Sequence, residues 1–137
     1  MTLITDSCFL VVLYDGSEAH HPKSFDFAAN RLETILVPHV VSPEAGFLLR
    51  RNLGYAISFD FFDFFDHSFV RLVPVLEEDL ARVYEITRQY DCARFDLVDC
   101  CIMAISERLR ITRIATFDRR DFSVFRPRDC EYLELLP

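Results

Sequence analysis

The sequence predicts an α/β protein built on a mostly parallel central sheet. Short apolar segments of four to six residues alternate with longer segments whose apolar residues recur at helical spacing. This alternation favours parallel strands, because each helix carries the chain back across the sheet before the next strand begins. The 137 residues are enough to bury a sizeable core, to which 14 Phe contribute. We expect one domain over residues 1–137.

Five short segments are predicted as strands because apolar and β-branched residues dominate them. The first, residues 2–5 (TLIT), is a buried strand that ends at Asp6. Pro74 lies in the third segment and favours an edge position, since proline cannot donate a hydrogen bond to a neighbouring strand. The other four segments are residues 34–37, 70–75, 113–116 and the tail 131–135.

Six segments between the strands are predicted as helices. Ser42-Pro43-Glu44 is typical of a helix start, with Ser42 as N-cap and Pro43 at the first helical position. Gly54 ends that helix. The clearest helix follows Asp96, which suits an N-cap, and carries one apolar stripe at helical spacing. The predicted helices cover residues 7–14, 18–32, 42–52, 55–66, 77–90 and 96–109.

Charge and cysteine content exclude several classes of protein. A net charge of -7 and a pI of about 5.0 argue against an extended nucleic-acid groove, which needs a basic face. The N-terminal segment has no basic region typical of a signal peptide, and no uncharged run approaches the ~18 residues of a membrane span. Five irregularly spaced Cys argue against a disulfide framework and favour a reducing cytoplasm.

Four acidic residues, far apart in the sequence, are predicted to meet at one edge of the sheet. Asp6 and Asp118 each follow a strand, so both lie at the carboxyl edge of a parallel sheet. Glu44 begins a helix that follows a strand, and such a helix starts at the same edge. Asp99 lies in the first turn of a helix that runs antiparallel to the strand it precedes. Open α/β sheets bind ligands in the crevice at this edge.

Each acid also has a structural explanation when it is considered alone. Asp6 ends a strand, Glu44 and the pair Asp96 and Asp99 suit helix starts, and Asp118 has Arg119 as an ion partner. Together, however, close carboxylates disfavour joint ionisation unless a positive charge compensates them. Oxygen ligands without His or Cys suit Mg²⁺ or Mn²⁺ better than zinc.

Several motifs in order give the chain a family resemblance. The strongest is DLVDCCIMAISERLRITRIATFDRRDF, residues 96–122, supported by LITDS near the start and VPHVVSPEAGFLLRRNLG in the middle. The chain resembles a PIN-domain ribonuclease, and within that family a VapC-type toxin of bacterial toxin–antitoxin pairs. The resemblance covers essentially the whole chain. One departure is Arg110, where related chains usually have glycine after the acidic helix.

The resemblance implies a three-layer α/β/α sandwich and a Mg²⁺- or Mn²⁺-dependent endoribonuclease that leaves 5′-phosphate and 3′-hydroxyl ends. It implies that the four acids bind the metal, that Asp96 is an accessory metal ligand, and that Ser7 and Thr116 orient the carboxylates or a water. No His is needed as a base. The metal-site acids and catalytic residues are Asp6, Glu44, Asp99 and Asp118.

An RNA substrate would need cations near this acidic edge. Arg119 and Arg120 flank Asp118, and Arg50 and Arg51 lie on the helix that carries Glu44. Guanidinium groups bind phosphate through two parallel hydrogen bonds, which makes Arg119, Arg120 and Arg50 candidates for phosphate contacts, Arg119 first. Ordinary surface ion pairs are the alternative.

The segment SFDFFDFFDHSF, residues 58–69, holds six Phe in twelve residues. Core packing explains part of such a surface, and an apolar excess would mark a partner interface. Phe59, Phe62 and Phe65 are the candidates for that interface. The resemblance implies a small antitoxin with basic residues as the partner, and a homodimer as an alternative way to cover the same surface.

Other functions compete with the ribonuclease. A PIN-fold binding module would act through complex formation without catalysis. A phosphatase of the haloacid-dehalogenase type would need Asp-x-Asp after the first strand, whereas this chain has Asp6-Ser7-Cys8. A DNA nuclease stays open, because carboxylate–metal chemistry does not distinguish the sugar.

Overall fold

Five parallel strands form one sheet in the computed structural model, which describes residues 1–30 and 33–137. The strand order is β3-β2-β1-β4-β5, and seven α-helices within the described ranges connect and cover the strands. The strands are β1 (Thr2–Thr5), β2 (Thr34–Pro38), β3 (Val70–Val73), β4 (Arg113–Ala115) and β5 (Glu134–Leu136). The helices are α1 (Ser7–Tyr14), α2 (His21–Ala29), α3 (Val41–Leu53), α4 (Ile57–Asp63), α5 (Glu77–Gln89), α6 (Leu97–Leu109) and α7 (Arg120–Val124). The predicted α/β class with a parallel sheet is confirmed.

The strand order changes direction at β1. The chain builds outward from β1 through β2 to β3, then returns to the other side of β1 for β4 and β5. In the register of the central pair, Ile4 is opposite Ile114 and Thr5 is opposite Ala115. The carboxyl ends of β1 and β4 therefore lie side by side at the point where open α/β sheets leave a crevice.

The core is formed by the sheet and by helices that press apolar faces against it. Ile4, Val37 and Ile114 of the sheet are inaccessible to solvent. Helix α6 is buried continuously from Cys100 to Ser106, and α5 packs on it. Because α6 is held on both sides, its N-terminus has a fixed position above the sheet edge. No helix within the described ranges is long and apolar enough to cross a membrane.

Helix α3 begins earlier than its sequence motif predicts. Ser42 is not the N-cap: the helix starts at Val41, and Val40 is already in the helical region with φ -66° and ψ -24°. Burial explains the shift, because Val41 is fully enclosed in the core and takes its backbone into the helix with it. The hydroxyl of Ser42 is left buried without a hydrogen-bond partner. Gly54 ends the helix as predicted, with φ 87°.

The other element boundaries differ by small amounts. Helix α2 covers His21–Ala29 of the predicted 18–32, of which residues 31 and 32 lie outside the described residues. The predicted 55–66 helix is α4 followed by a short 3₁₀ turn, Phe64–Asp66. Strand β3 is at the sheet edge, as predicted, and ends before Pro74. No periodic pattern predicts α7, which is only five residues long.

Arg110 occupies a backbone conformation that favours glycine. It terminates α6 with φ 55° and ψ 41°, in the left-handed region. Its N–H and that of Ile111 bond back to carbonyls of Glu107 and Ser106, so the turn is fixed by hydrogen bonds. The backbone of Arg110 is therefore strained, because a left-handed conformation costs a non-glycine residue about 1–2 kcal/mol.

We expect Arg110→Gly to raise the free energy of unfolding by about 0.5–1 kcal/mol, because relief of the strain exceeds the entropy cost of glycine. Urea denaturation monitored by circular dichroism measures the change. Arg88→Gly is the control with the opposite sign, since Arg88 lies in the right-handed last turn of α5. An Arg110→Gly variant that is no more stable than the parent would contradict the strain.

Candidate active site

A cavity of about 500 Å³ opens at the carboxyl ends of β1 and β4 and is lined by acids. The four acids predicted to meet there all line it, together with Asp96. Two arginines line the same cavity, one from α3 and one from α7. The charged residues around the cavity are Asp6, Glu18, Glu44, Asp96, Asp99, Asp118, Asp121, Arg51 and Arg120.

Asp6 is the most deeply buried acid of the cavity, with 3% of its surface exposed. It follows β1 directly and caps α1, because one carboxylate oxygen accepts the backbone N–H of Phe9 at 2.8 Å. Its other oxygen accepts a hydrogen bond from the hydroxyl of buried Thr116, which follows β4. The backbone N–H of Asp6 also donates to the carbonyl of Ala115 at 3.2 Å. Both central strands therefore fix this carboxylate.

Glu44 reaches the cavity from the first turn of α3. Its carboxylate accepts a hydrogen bond from the hydroxyl of Ser7, in the first turn of α1. Ser7 and Thr116 thus each hold one carboxylate of the predicted set, as the resemblance implies for small hydroxyl residues at these positions.

Asp96 and Asp99 occupy the start of α6 in different ways. Asp96 is the N-cap, and its side chain accepts the N–H of Val98 at 2.9 Å. Asp99 lies in the first turn, half-buried, with no helix N–H assigned to its carboxylate. One oxygen of Asp96 is therefore committed to the helix, whereas Asp99 is oriented only by the helix that carries it.

Asp118 is positioned by a short turn after β4. Its N–H donates to the hydroxyl oxygen of Thr116 at 3.0 Å, and its carboxylate accepts the N–H of Arg120 at 3.4 Å. Because the Thr116 hydroxyl donates to Asp6, a single side chain connects the two acids that end the central strands.

Burial and mutual repulsion oppose ionisation of two of these acids. Burial raises the pKa of Asp6 to about 7, against the lowering effect of its hydrogen bonds from Thr116 and Phe9, and the charges of Asp118 and Glu44 raise it further. Burial is also the main reason why the pKa of Asp99 rises to about 8, followed by the nearby charge of Asp6. Removal of either charge, or addition of a cation, would relieve this cost.

The donors fit a hard divalent cation by type and by charge. The cavity offers carboxylate oxygens, and no histidine lines it. Cys8 is also at its wall, where burial raises the pKa of its thiol to about 11 and so favours the neutral form in metal-free protein. Within residues 1–30 and 33–137, no three His, Cys, Asp or Glu side chains already stand together as a metal-ligating group. Metal binding would therefore require some of the carboxylates to turn towards a common point.

Sequence reasoning missed two acids of the cavity. Asp121 is buried and accepts the backbone N–H of Asp96 at 3.2 Å while it pairs with Arg120 at 3.0 Å. It joins α7 to the start of α6, and its position directly after the Asp-Arg-Arg turn was the available signal. Glu18 comes from the loop between α1 and α2, where no periodic pattern marks it.

The predicted phosphate-binding arginines differ in their positions. Arg120 lines the cavity, but Arg119 donates to the carbonyl of Pro137 at 2.6 Å and is not part of the lining. Arg50 donates to the hydroxyl of Ser58 at 2.6 Å, whereas its neighbour Arg51 lines the cavity. The phosphate contacts stay a prediction, for which this geometry favours Arg51 and Arg120.

The aromatic segment divides into a buried and an exposed set. Phe61 and Phe64 are in the core, and Phe65 is half-buried against both of them. Phe59 is 64% exposed and Phe62 is 58% exposed. Beside them lies an apolar groove of about 430 Å³ between α3 and α4. Its apolar walls are formed by Pro43, Gly46, Phe47, Phe61 and Phe62.

Comparison with known proteins gives concordant matches. Residues 3–126 match the family model described as PIN domain. Ribonuclease VapC26 of Mycobacterium tuberculosis is 22% identical over 125 residues, which are 91% of this chain and 93% of that protein. The crystal structure of M. tuberculosis VapC20, a toxin that cleaves the sarcin–ricin loop, superposes with a TM-score of 0.79 at 19% identity, over 85% of this chain and 90% of VapC20.

A toxin–antitoxin complex from Klebsiella pneumoniae is a second structural match. Its TM-score is 0.66 at 13% identity, and the match covers 90% of this chain and 92% of the other. Identities this low make both structural matches evidence of the fold alone. The three-layer α/β/α architecture is confirmed by them.

The raised pKa values predict that metal-free protein loses stability between about pH 4 and pH 8. The unfolded chain releases these protons near the ordinary value of 3.8, whereas the folded chain keeps them until about 7 on Asp6 and about 8 on Asp99. The contribution of these two raised pKa values to the free energy of unfolding is fully present below pH 4, decreases as pH rises, and is lost above about pH 8. Denaturation midpoints measured across this range in chelator test the slope.

Asp99→Asn removes one of the two charges and should flatten that slope. At pH 8 we expect it to raise the free energy of unfolding by at least about 1 kcal/mol in chelator. The exposed Asp91, outside the cavity, provides the control Asp91→Asn, which should leave the slope unchanged. Equal slopes for the parent and Asp99→Asn would contradict the raised pKa of Asp99.

Proposed function

Because this chain belongs to the PIN-domain family, we propose that it is a Mg²⁺- or Mn²⁺-dependent endoribonuclease and the toxin of a toxin–antitoxin pair. The observation that carries this proposal is the cavity at the ends of β1 and β4, where the four predicted acids meet and the pKa values of Asp6 and Asp99 are raised. Such a cluster suits a bound cation and the phosphate that the cation would attract.

Asp6, Glu44, Asp99 and Asp118 would hold the metal, with Asp96 as an accessory ligand. A bound divalent ion would lower the pKa of a coordinated water and stabilise negative charge on the phosphate and the leaving oxygen. Thr116 and Ser7 keep the carboxylates of Asp6 and Glu44 aimed by their hydrogen bonds. The resemblance to PIN-domain ribonucleases implies that hydrolysis would leave a 5′-phosphate and a 3′-hydroxyl.

Two arginines give the acidic cavity its contacts for a polyanion. Among the described residues Arg51 has no carboxylate partner, and its guanidinium donates a hydrogen bond to the side-chain oxygen of the neighbouring Asn52 at 3.3 Å. Arg120 pairs with Asp121 while most of its side chain, 76%, stays exposed. Both are therefore available to phosphate oxygens beside the cleaved bond.

Named functions of relatives favour RNA as the substrate. VapC26 is a ribonuclease, and VapC20 is a toxin that cleaves the sarcin–ricin loop. We propose the same class of substrate for this chain, in preference to DNA, and we propose that residues 1–137 act as one domain in the cytoplasm. The alternative is a PIN-fold binding module without catalysis. Measurements of metal binding and of RNA cleavage distinguish it from the ribonuclease.

We also propose that the groove between α3 and α4 binds an antitoxin segment. The apolar walls and the exposed ring of Phe62 need cover, and the net charge of -7 favours a partner with basic residues. The Klebsiella pneumoniae match is itself a toxin–antitoxin complex. A homodimer through the same surface is the second way to cover it.

Purified protein should cut mixed single-stranded RNA with Mg²⁺ or Mn²⁺ and should not cut it in chelator. Asp6→Asn should lower the rate by roughly 100-fold or more, because a ligand charge is lost while the amide oxygen can still accept the N–H of Phe9 and keep the side chain in place. Gel analysis of labelled RNA measures both. Thr116→Val should cost roughly 10-fold, since it frees the Asp6 carboxylate to turn.

Asp91→Asn is the matched control for this assay, as an exposed acid outside the cavity. Cleavage by Asp6→Asn at the parent rate would show that Asp6 is not a catalytic residue. If the protein cleaves no RNA and binds no metal in isothermal titration calorimetry, the proposed nuclease function is wrong and the binding module remains as the alternative.

Phe62→Ser should weaken the complex with a cognate antitoxin protein by roughly 10-fold or more, because an aromatic anchor that the partner would bury is lost. Co-purification and titration of the two proteins measure the loss. Phe25→Ser is matched in chemistry, since Phe25 is 57% exposed on α2, and should have little effect. Equal affinities of Phe62→Ser and the parent would exclude the groove, and dissociation of a homodimer by Phe62→Ser would assign it to self-association.

A further inference from the structure

An exposed tyrosine stacked on an arginine lies beside the active-site cavity. The guanidinium of Arg50 covers the ring of Tyr55 at 4.7 Å from its centroid, and the ring of Phe59 meets Tyr55 edge-on with centroids 6.2 Å apart. Tyr55 is nevertheless 67% exposed. We call Arg50, Tyr55 and Phe59 the aromatic step. The ring of Tyr55 is held in place by Arg50 and Phe59 while most of the residue's surface stays exposed to solvent.

The aromatic step is continuous with the wall of the cavity. Arg51 and Asn52, in the last turn of α3, line the cavity, and the chain then turns at Gly54 directly into Tyr55. Three residues of extended chain span at most roughly 11 Å, which bounds the distance between the backbones of Asn52 and Tyr55. A polymer that leaves the cavity past Asn52 would therefore pass close to the step.

The charge of the step suits a polyanion with aromatic rings. Neither Arg50 nor Arg51 has a carboxylate partner among the described residues: Arg50 donates to Ser58 and Arg51 to Asn52. Cationic and aromatic groups placed together are typical of surfaces that stack the bases of single-stranded nucleic acid. The apolar groove for a protein partner is lined by Phe47 and Phe62 and reaches Arg50, but it does not include Tyr55 or Phe59.

We propose that Tyr55 stacks an unpaired base of the substrate, with Arg50 fixing the ring and Arg51 contacting the intervening phosphate. This inference rests on the proposed ribonuclease function and specifies its substrate further. The substrate must present at least one unstacked base next to the cleaved bond, because a base inside a duplex cannot lie on the Tyr55 ring. Regular double-stranded RNA is therefore excluded, and loops or single strands are accepted.

The chain provides a matched control on another face. Tyr84 on α5 is 62% exposed and has Arg88 over its ring at 5.6 Å, but neither residue lines the cavity. Tyr55→Ala and Tyr84→Ala therefore remove the same ring from the same kind of pair. Tyr55→Phe keeps the stacking ring and loses only the hydroxyl.

Binding is measured in the Asp6→Asn background, where cleavage is suppressed, by fluorescence anisotropy of a short labelled single-stranded RNA of mixed sequence. We expect Tyr55→Ala to weaken binding about fivefold or more, Tyr55→Phe to retain it, and Tyr84→Ala to leave it unchanged. Thermal denaturation of each variant checks that the fold is intact.

A second measurement locates the base. The same RNA is prepared with one abasic position moved along its length, and each version is bound to the parent and to Tyr55→Ala. At the stacked position, loss of the base and loss of the ring should not add, because both remove one contact.

Three outcomes would overturn the inference. Equal RNA binding by Tyr55→Ala and the parent would mean that the ring does not contact the substrate. Equal losses in Tyr55→Ala and Tyr84→Ala would show a non-specific effect. If wild-type protein cuts RNA and Tyr55→Ala binds RNA as the parent does, only this inference fails. If wild-type protein neither cuts nor binds any RNA, the proposed function fails as well.

Discussion

The hydrogen bonds of Asp6 join the two central strands of the sheet to the first helix. One oxygen caps α1 through Phe9, and the other accepts the hydroxyl of Thr116 at the end of β4. This arrangement is available only because β1 and β4 are parallel neighbours whose carboxyl ends coincide. The remaining acids reach the same point from helices that the sheet positions, so the whole cavity depends on this junction.

The junction places an acid where burial opposes its charge. A chain selected for stability alone would not keep Asp6 and Asp99 in surroundings that raise their pKa values to about 7 and about 8. Hydrogen bonds from Thr116 and Phe9 offset part of the cost for Asp6 but do not remove it. Further acids at the same cavity, including Asp121, increase the need for a cation. The structure therefore combines a rigid sheet edge with an electrostatic demand that a divalent ion would meet.

Helix α3 contributes to the cavity and to the apolar groove at once. Its first turn carries Glu44 into the cavity, its middle forms the apolar groove through Gly46 and Phe47, and its last turn brings Arg51 to the cavity rim. The core holds it through Val41, Ala45 and Leu49, which recur at intervals of four residues and are fully buried. Substrate and partner would consequently meet the same rigid element, which gives a physical route by which a partner in the groove could block access to the cavity.

The sequence by itself determined the fold class, the parallel order of helices and strands, and the place where Asp6, Glu44, Asp99 and Asp118 meet. Apolar periodicity and the edge rule for parallel strands are properties of short segments, and the family model confirms the resemblance that those segments carried. Only the tertiary structure decided what depends on contacts between distant segments. Burial of Val41 displaced the N-cap from Ser42. Arg119 donates a hydrogen bond to Pro137, whereas Arg51 and Arg120 line the cavity. Packing divided the Phe residues into a core set and a surface set. Glu18 and Asp121 entered the cavity for the same reason. No local pattern marks Glu18, and the position of Asp121 after the Asp-Arg-Arg turn does not by itself specify its contact with the start of α6.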